Sequence, residues 1–416
     1  MFKKRISPFA CIIICILVCA VSCVGVASTM STKHKADINN IRLEANSQDS
    51  NNAVINGAGG SSEQYTKLSL MFNMIETYYV HGYENEAVWE EVYKALARSL
   101  ADEYSQYFTA AEYESLLDSS DGEFVGIGVH ASYDVDTLGV YVFGVMSDSP
   151  AEKAGIKRGD VIIGAEGIKA SEETYYDLLD AIPGTPGTQV SITVLRDGEE
   201  IELTLTRQAV ASENVMYEKL ENNVAYIRIL SFADSGVSEE FASKLALAQS
   251  EGCDKYVFDV RNNTGGSLDE ICAILDLLLP KGPIINFVEK NGNVQTIDSD
   301  ENCIQGEMVV LCNDMTASAA ELFTAALRDY ELAKTVGVTT FGKGTMQTTR
   351  LLPDGSALKL STAFYNPPSN VSYDKIGITP DYETELTEYW QERFFKMPNE
   401  EDAQLQKALE LLNATE

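Results

Sequence analysis

The first apolar pattern in the chain is an uncharged stretch from Ile6 to Thr32, which follows basic residues at positions 3–5. Twenty helical residues rise about 30 Å, the thickness of a bilayer hydrocarbon core. The pattern predicts a transmembrane anchor within residues 1–32. Because the basic residues lie on its amino side, the N-terminus is expected in the cytoplasm and the rest of the chain outside it.

A cleaved signal peptide is the competing interpretation of this stretch. Ala20, Ser22 and Ala27 are small residues near its end, as a cleavage site requires. The apolar stretch exceeds the roughly 7 to 15 residues of a signal-peptide core, which favours an uncleaved anchor. Cysteines repeat every four residues along one face of the predicted helix, either as small apolar filler or for acylation or helix pairing. They are Cys11, Cys15, Cys19 and Cys23.

The next two segments differ sharply in pattern. Residues 33–62 are rich in Ser, Asn, Gly and charge, which is typical of a flexible stalk. Over residues 63–120 the apolar residues return at helical spacing, as at Leu68, Met71 and Ile75. This spacing predicts a small N-terminal helical module.

The remaining chain shows two further patterns. Residues 121–208 read as short alternating strands with one helix near 172–182. Over residues 209–395 strands alternate with amphipathic helices, an order that predicts a layered α/β core. Residues 396–416 end in a polar amphipathic helix. The sequence therefore predicts a multidomain α/β protein.

Composition narrows the chemistry that such a protein can perform. The 416 residues carry a formal net charge of −32, which disfavours binding to nucleic acid. The cysteines beyond the apolar stretch have no C-x-x-C spacing, which argues against a zinc site. A disulfide among them is left open. The three histidines, His34, His81 and His130, all precede the predicted α/β core, which makes a Ser-His-Asp triad improbable.

A serine at the start of a predicted helix is a candidate nucleophile. Val309 to Cys312 reads as a buried strand, and Ser318 falls in the first turn of the helix that follows. The free N–H groups and positive dipole end of a helix can stabilise an oxyanion there. Serine is also a preferred N-cap, so a purely structural role fits the same position.

With a histidine base disfavoured, a lysine is the remaining candidate base. Lys343 lies between Gly342 and Gly344, which let the backbone turn closely around it. A desolvated, neutral lysine can accept the proton of a serine. The amide of Gln347 could orient its amine. A glycine-flanked lysine is otherwise an ordinary solvated turn.

A glycine pair ends another predicted strand. Gly265 and Gly266 precede a helix, so their backbone N–H groups could bind an anion; alternatively, the turn simply needs a positive φ. Asp259 and Arg261, just before them, are expected to form a structural ion pair.

These stretches together resemble the C-terminal processing peptidases, or tail-specific proteases, which are serine peptidases with a Ser-Lys dyad. Three motifs occur in the family's order: D-V-R-N-N-T-G-G at 259–266, T-A-S-A-A-E at 316–321 and F-G-K-G-T-M-Q at 341–347. The resemblance spans nearly everything from residue 65 onwards. It implies Ser318 as nucleophile, Lys343 as general base, Gln347 as the residue that orients the lysine, and a crotonase or Clp-protease type of layered core.

The resemblance also implies an oxyanion hole. Its donors would be the backbone amides of Ala319 and of one of the pair Gly265 and Gly266, with the choice of glycine open. The sequence departs from the family at Ala320, where a serine is common, and over residues 366–373, which lack the usual Gly-Arg. The substrate groove near the second departure is therefore undefined.

Residues 121–208 resemble a PDZ domain. Phe124 to Gly128 is similar to its carboxylate-binding loop, and Ser149 to Ile162 to its most regular stretch. Such a loop offers backbone N–H groups to a chain-terminal carboxylate, while the peptide adds as an extra strand. The residues implied for this loop are Val125, Gly126, Ile127 and Gly128.

The resulting expectation is a membrane-anchored, extracytoplasmic serine endopeptidase that captures protein or peptide substrates by their C-terminal tails. It would need no metal or organic cofactor, and a homo-oligomer is compatible with the sequence. Two alternatives come from other classes: a catalytically inactive PDZ scaffold and a crotonase-like acyl-CoA enzyme. The joint presence of Ser318, Lys343 and Gln347 argues against the first, and the PDZ module and extracytoplasmic location against the second.

Overall fold

The computed structural model describes residues 62–120, 125–210 and 212–414. The predicted anchor and nearly all of the predicted stalk lie outside these ranges. Within them, no helix combines the length and apolar character needed to cross a membrane.

The N-terminal module is helical, as predicted, but it also contributes a strand. The rings of Phe72 and Trp89 stack with their centroids 4.2 Å apart and join its first two helices. Leu70 and Met74, apolar residues of the first helix, remain more than half exposed. The elements are α1 (Ser62–Tyr78), α2 (Asn85–Arg98), β1 (Gln106–Phe108) and α3 (Ala110–Ser120).

The unit predicted to be a PDZ domain is an antiparallel sheet with two short helices. Its core includes Val142, Ile162 and Leu178, which are fully buried. Among the described residues the strand order is β3-β4-β5-β7-β8, so β3 has no strand beside its outer edge; β6 pairs with β5, and β2 pairs with β9. The elements are β2 (Val125–Gly126), β3 (Val129–Tyr133), β4 (Val140–Val145), α4 (Pro150–Ala154), β5 (Val161–Ala165), β6 (Ile168–Lys169), α5 (Tyr175–Ala181), β7 (Gln189–Arg196), β8 (Glu199–Thr206) and β9 (Gln208–Ala209).

The larger unit contains the predicted alternation of strands and helices. Its main sheet has the order β10-β11-β12-β15-β16-β19, in which every neighbouring pair except β10 with β11 is parallel. The first elements are β10 (Val215–Lys219), β11 (Val224–Ile229), α6 (Val237–Ser250), β12 (Lys255–Asp259), α7 (Leu268–Leu278), β13 (Gly282–Glu289), β14 (Val294–Ser299) and β15 (Glu307–Cys312). The later ones are α8 (Ala319–Asp329), β16 (Ala333–Gly337), β17 (Thr345–Leu351), β18 (Ala357–Asn366), β19 (Tyr382–Glu383), α9 (Glu388–Glu392) and α10 (Ala403–Asn413).

The apolar side chains of this unit form layers. Phe241 of α6 and Phe323 of α8 pack with Phe258 of β12 on one face of the main sheet. The C-terminal helix α10 covers the other face, where Leu405 is fully buried against Val257 and its neighbours. The prediction of a layered α/β core is therefore confirmed.

A second sheet extends the layering beyond the helices. Its strand order is β1-β18-β13-β14, and β17 also pairs with β18. Phe287 and Tyr365 from this sheet join the same apolar cluster as Phe323. Since β1 belongs to the N-terminal module and pairs with β18 through Tyr107 and Leu358, that module is built into the core sheet.

The two units also meet directly through the one-turn segment Phe394–Lys396. The ring of Phe395 stacks on that of Phe143 with centroids 3.9 Å apart. The Lys396 ammonium lies 2.5 Å from the buried carboxylate of Asp134. These contacts hold the antiparallel unit against the layered one.

Candidate active site

Three loops converge where three neighbouring strands end. The strands β12, β15 and β16 are parallel, so the loops that follow them leave the same edge of the sheet. The loop after β12 contains Gly265 and Gly266, the loop after β15 leads to Ser318, and the loop after β16 contains Lys343. The topology therefore brings together residues that three separate motifs contribute.

Ser318 is the N-cap residue of α8 and has an unusual backbone conformation. Its φ of 57° and ψ of −120° are sparsely populated for a residue with a side chain and cost about 1–3 kcal/mol. The backbone N–H of Ser318 donates to Glu321 Oε2 at 3.0 Å, which supports the turn. The positive end of the helix dipole is directed at this residue.

Glu321 joins the serine turn to the lysine loop. Its side chain is completely buried and accepts four hydrogen bonds. Oε2 receives the backbone N–H groups of Ser318 and Lys343, the latter at 2.8 Å, while Oε1 receives Thr340 Oγ1 at 2.6 Å and Gly342 N–H at 2.7 Å. Burial raises the pKa of Glu321, and these donors oppose the rise. One carboxylate thus sets the distance between the two loops.

Lys343 is partly buried beneath a ring from the N-terminal module. Its Nζ lies 4.5 Å from the centroid of Tyr104, a distance at which the ring face attracts a cation. Burial, together with nearby carboxylates that include Glu103 and Asp374, raises the pKa of Tyr104 to about 12. The N-terminal module therefore supplies a wall of the site.

The hydroxyl of Tyr365, in β18, contacts both halves of the site. It donates a hydrogen bond to the backbone carbonyl of Lys343 at 2.5 Å. Ser318 Oγ, at 3.1 Å, is a second possible acceptor for the same hydrogen. Burial raises the pKa of Tyr365. The phenol therefore stays protonated and can act as a donor.

The amide nitrogen of Gln347 is held by residues of β17 and β18. Nε2 donates to Thr345 O at 3.0 Å and to Ser361 Oγ at 3.1 Å. The backbone N–H of Ser361 in turn donates to Ser105 Oγ, so the N-terminal module is linked to this side chain. With its nitrogen engaged, the amide oxygen is the atom with which Gln347 could accept a hydrogen bond from an amine.

The two candidate oxyanion glycines are not equivalent. The N–H of Gly265 donates to Asn263 Oδ1 at 2.8 Å, so it is not available to an oxyanion in this structure. Gly265 also passes so close to the serine turn that a side-chain carbon built on it would lie 2.7 Å from Ser318 Cβ and 2.8 Å from Ala319 N. Of the pair, Gly266 is left as the candidate donor.

The ion pair predicted between Asp259 and Arg261 is confirmed. Arg261 is fully buried, with Nη2 lying 2.7 Å from Asp259 Oδ2 and 2.7 Å from Asp402 Oδ2. Burial disfavours the ionised form of Asp259, but Arg261 and Arg228 outweigh it and hold its pKa well below the usual range. This network ties the N-terminus of α10 to the strand that carries the glycine loop.

The predicted carboxylate-binding loop is packed against the start of α4. The carbonyl of Ile127 accepts a hydrogen bond from Ala151 N at 2.8 Å. Gly128 has a φ of 77°, and a side-chain carbon there would lie 2.3 Å from Ser149 Cβ. Val125 and Gly126 form β2, and Phe124 lies outside the described residues. The loop leads into β3, whose outer edge could accept a peptide strand.

Sequence reasoning missed three residues of this site. Glu321 carries a recognisable signal, because a serine followed three residues later by glutamate at a helix start is the capping-box pattern. Tyr365 and Tyr104 carry no such local signal. They enter the site through β18 and the loop before β1, and so through long-range strand pairing.

Matches to family models and to known proteins identify the family of this chain. A model of peptidase family S41 matches residues 223–384, and a PDZ domain model matches residues 124–206. A "Probable CtpA-like serine protease" of Staphylococcus aureus is 30% identical over 81% of this chain and 68% of its own length. A "Carboxy-terminal-processing protease" of Bartonella bacilliformis is 31% identical over 78% of this chain and 76% of its own length.

A solved structure agrees with these matches. The "Photosystem II D1 C-terminal processing protease" aligns with a TM-score of 0.50 and 26% identity, covering 86% of this chain and 94% of that one. The resemblance to C-terminal processing peptidases seen in the sequence is thus confirmed. The chain belongs to peptidase family S41 and is a serine protease with a PDZ domain.

Proposed function

We propose that this protein is a membrane-anchored, extracytoplasmic carboxy-terminal-processing protease that cleaves with Ser318 as nucleophile and Lys343 as base. The observation that carries the proposal is the Glu321 carboxylate, which accepts the backbone N–H groups of both residues. Two loops joined at one carboxylate can keep a hydroxyl and an amine in a fixed relation. Such positioning is what a nucleophile and its base require.

The reaction would proceed through an acyl-enzyme. The hydroxyl proton of Ser318 moves to Lys343 Nζ as Oγ attacks the scissile carbonyl carbon. The tetrahedral oxyanion accepts hydrogen bonds from the backbone amides of Ala319 and Gly266. The C–N bond then breaks, and Lys343 returns its proton to the leaving amine. A water that gives a proton to Lys343 hydrolyses the ester, and Ser318 recovers its hydroxyl.

The lysine must be neutral to accept the first proton. The ring of Tyr104 attracts a charged amine, whereas covering the site with substrate removes water and favours the neutral form. Gln347 would orient that amine through its amide oxygen, because its nitrogen already donates to Thr345 and Ser361. The lysine is thus expected to become an effective base only once substrate is bound.

The PDZ domain would select substrates by their C-terminal tails. The terminal carboxylate would meet the backbone N–H groups of Val125 to Gly128, and the peptide would pair with the outer edge of β3. The alternative is a PDZ scaffold without catalysis. It would explain the tail-binding loop, but it gives no reason for Glu321 to hold the Ser318 and Lys343 loops together.

A fluorogenic peptide assay separates these functions. Ser318→Ala and Lys343→Ala should abolish turnover while a tail peptide still binds with the affinity of the unmodified protein, because neither residue lies in the PDZ domain. Turnover by Ser318→Ala at the unmodified rate would contradict the nucleophile, and substantial hydrolysis by Lys343→Ala would point to another base.

The anchor needs its own test. The uncharged stretch 6–32 motivates the proposal that it stays attached and holds the enzyme at the outer face of a membrane. The intact N-terminus should then be found in a washed membrane fraction. A mature protein that starts near Ser28 would reject the anchor and support a cleaved signal peptide instead.

A further inference from the structure

The side chain of Tyr365 lies between the lysine loop and the candidate nucleophile. Its hydroxyl lies 2.5 Å from the carbonyl oxygen of Lys343 and 3.1 Å from Ser318 Oγ. Its backbone N–H also donates to the carbonyl of Gly344 at 3.0 Å. The residue therefore holds the lysine loop by both its backbone and its side chain, and its hydroxyl touches the atom that attacks the substrate.

A phenol has one hydrogen for these two acceptors. A carbonyl oxygen can only accept, so the shorter contact to Lys343 takes that hydrogen in the resting enzyme. When Ser318 gives up its proton, Oγ gains negative charge and becomes the stronger acceptor, since hydrogen bonds to charged groups are about twice as strong. The hydrogen can reach Oγ by rotation about the bond from the ring to the hydroxyl oxygen, with the ring held still.

The surroundings suit a fixed donor. Tyr365 is 8% exposed, and its ring packs edge to face on that of Tyr373 with centroids 6.1 Å apart. Water therefore competes little for the hydroxyl. Because burial raises the pKa of Tyr365, the phenol does not ionise in the pH range in which a peptidase works, and it remains a donor throughout.

We propose that Tyr365 is a further catalytic residue, which donates its hydroxyl hydrogen to Ser318 Oγ while that oxygen attacks the substrate. The inference rests on the proposed Ser-Lys mechanism. No bond of Tyr365 breaks: the serine proton goes to Lys343 Nζ, and the tyrosine only changes its acceptor from the lysine carbonyl to Oγ. When the acyl-enzyme is hydrolysed and Ser318 recovers its proton, the tyrosine hydrogen returns to the carbonyl.

Tyr365→Phe removes the hydroxyl and keeps the ring. Loss of one hydrogen bond to a developing charge should lower kcat about 10- to 100-fold. KM should change little, because the hydroxyl contacts enzyme atoms in the resting state. The rate at which a fluorophosphonate labels Ser318 should fall by a similar factor, since labelling needs the same activated oxygen.

Tyr256→Phe is the matched control. Tyr256 is also a buried tyrosine of the protease unit, 1% exposed, and its hydroxyl donates a 3.4 Å hydrogen bond to the carbonyl of Cys253, outside the site. Unfolding midpoints in urea are measured for both variants, so that a loss of stability is separated from a loss of rate. Only Tyr365→Phe should lose labelling rate and kcat.

Other results would contradict the role of Tyr365 or the mechanism on which it rests. Equal kcat and labelling rates in the two variants would overturn the inference, as would faster turnover by Tyr365→Phe, which would mean that the phenol restrains the serine. A loss of kcat matched by a loss of folded protein, with the labelling rate of the folded fraction unchanged, would make Tyr365 merely structural. Activity in Ser318→Ala would refute the mechanism itself, so the two failures are distinguishable.

Discussion

Replacing Gly265 by alanine tests whether the site depends on the close passage of this loop beside the nucleophile. Gly265 has a φ of 99°, and an added side-chain carbon would lie 2.7 Å from Ser318 Cβ. Carbon atoms that are not bonded stay about 3.5 to 4.0 Å apart. The loop or the serine must therefore move by about 1 Å.

A displacement of that size has a predictable effect on the rate. Misplacing a reacting group by about 1 Å can slow catalysis roughly 100-fold, which corresponds to about 2.7 kcal/mol of transition-state stabilisation. A residue with a side chain in a left-handed conformation also costs about 1–2 kcal/mol of folding free energy. The two effects must be separated, because the second concerns stability alone.

Gly252 provides the control in the same unit. Its φ is 83°, and an added side-chain carbon would meet no atom within 4 Å. Gly252→Ala should therefore lose stability through its backbone conformation but keep its turnover rate. The assay compares kcat on a fluorogenic tail peptide with the urea unfolding midpoint for both variants. Equal turnover by Gly265→Ala and Gly252→Ala would show that the close passage of Gly265 beside Ser318 does not matter for catalysis.

Two further predictions concern buried groups. Glu321→Gln places an NH2 group opposite backbone or hydroxyl donors, so kcat should fall about 100-fold because the lysine is misplaced. Thr324→Val, one turn further along α8, is the control and should keep its kcat in the same assay. Burial lowers the pKa of His130, so the unfolded chain takes up this proton first and stability should fall as pH drops below about 6.5. The urea unfolding midpoints at pH 8 and pH 5.5 should differ less in His130→Gln than in the unmodified protein. Equal differences in the two proteins would contradict the assignment of this pH dependence to His130.

Local patterns along the chain were enough to predict most helices and strands and the chemical groups that they carry. The alternation of strands and amphipathic helices predicted the layered core, and the buried strand predicted at Val309 to Cys312 lies within β15. Ser318 was expected at a helix start, where the structure places it as the N-cap. These features could be predicted because apolar periodicity, caps and glycine turns depend on neighbouring residues.

How these elements are held together became visible in the folded structure. The Glu321 carboxylate accepts hydrogen bonds from the loops of Ser318 and Lys343, and the side chain of Asn263 accepts the backbone N–H of Gly265. The fold also brings Tyr104 from the N-terminal module onto the lysine. Such contacts join residues far apart in the chain, and they depend on strand order and packing, which no local pattern of side chains encodes.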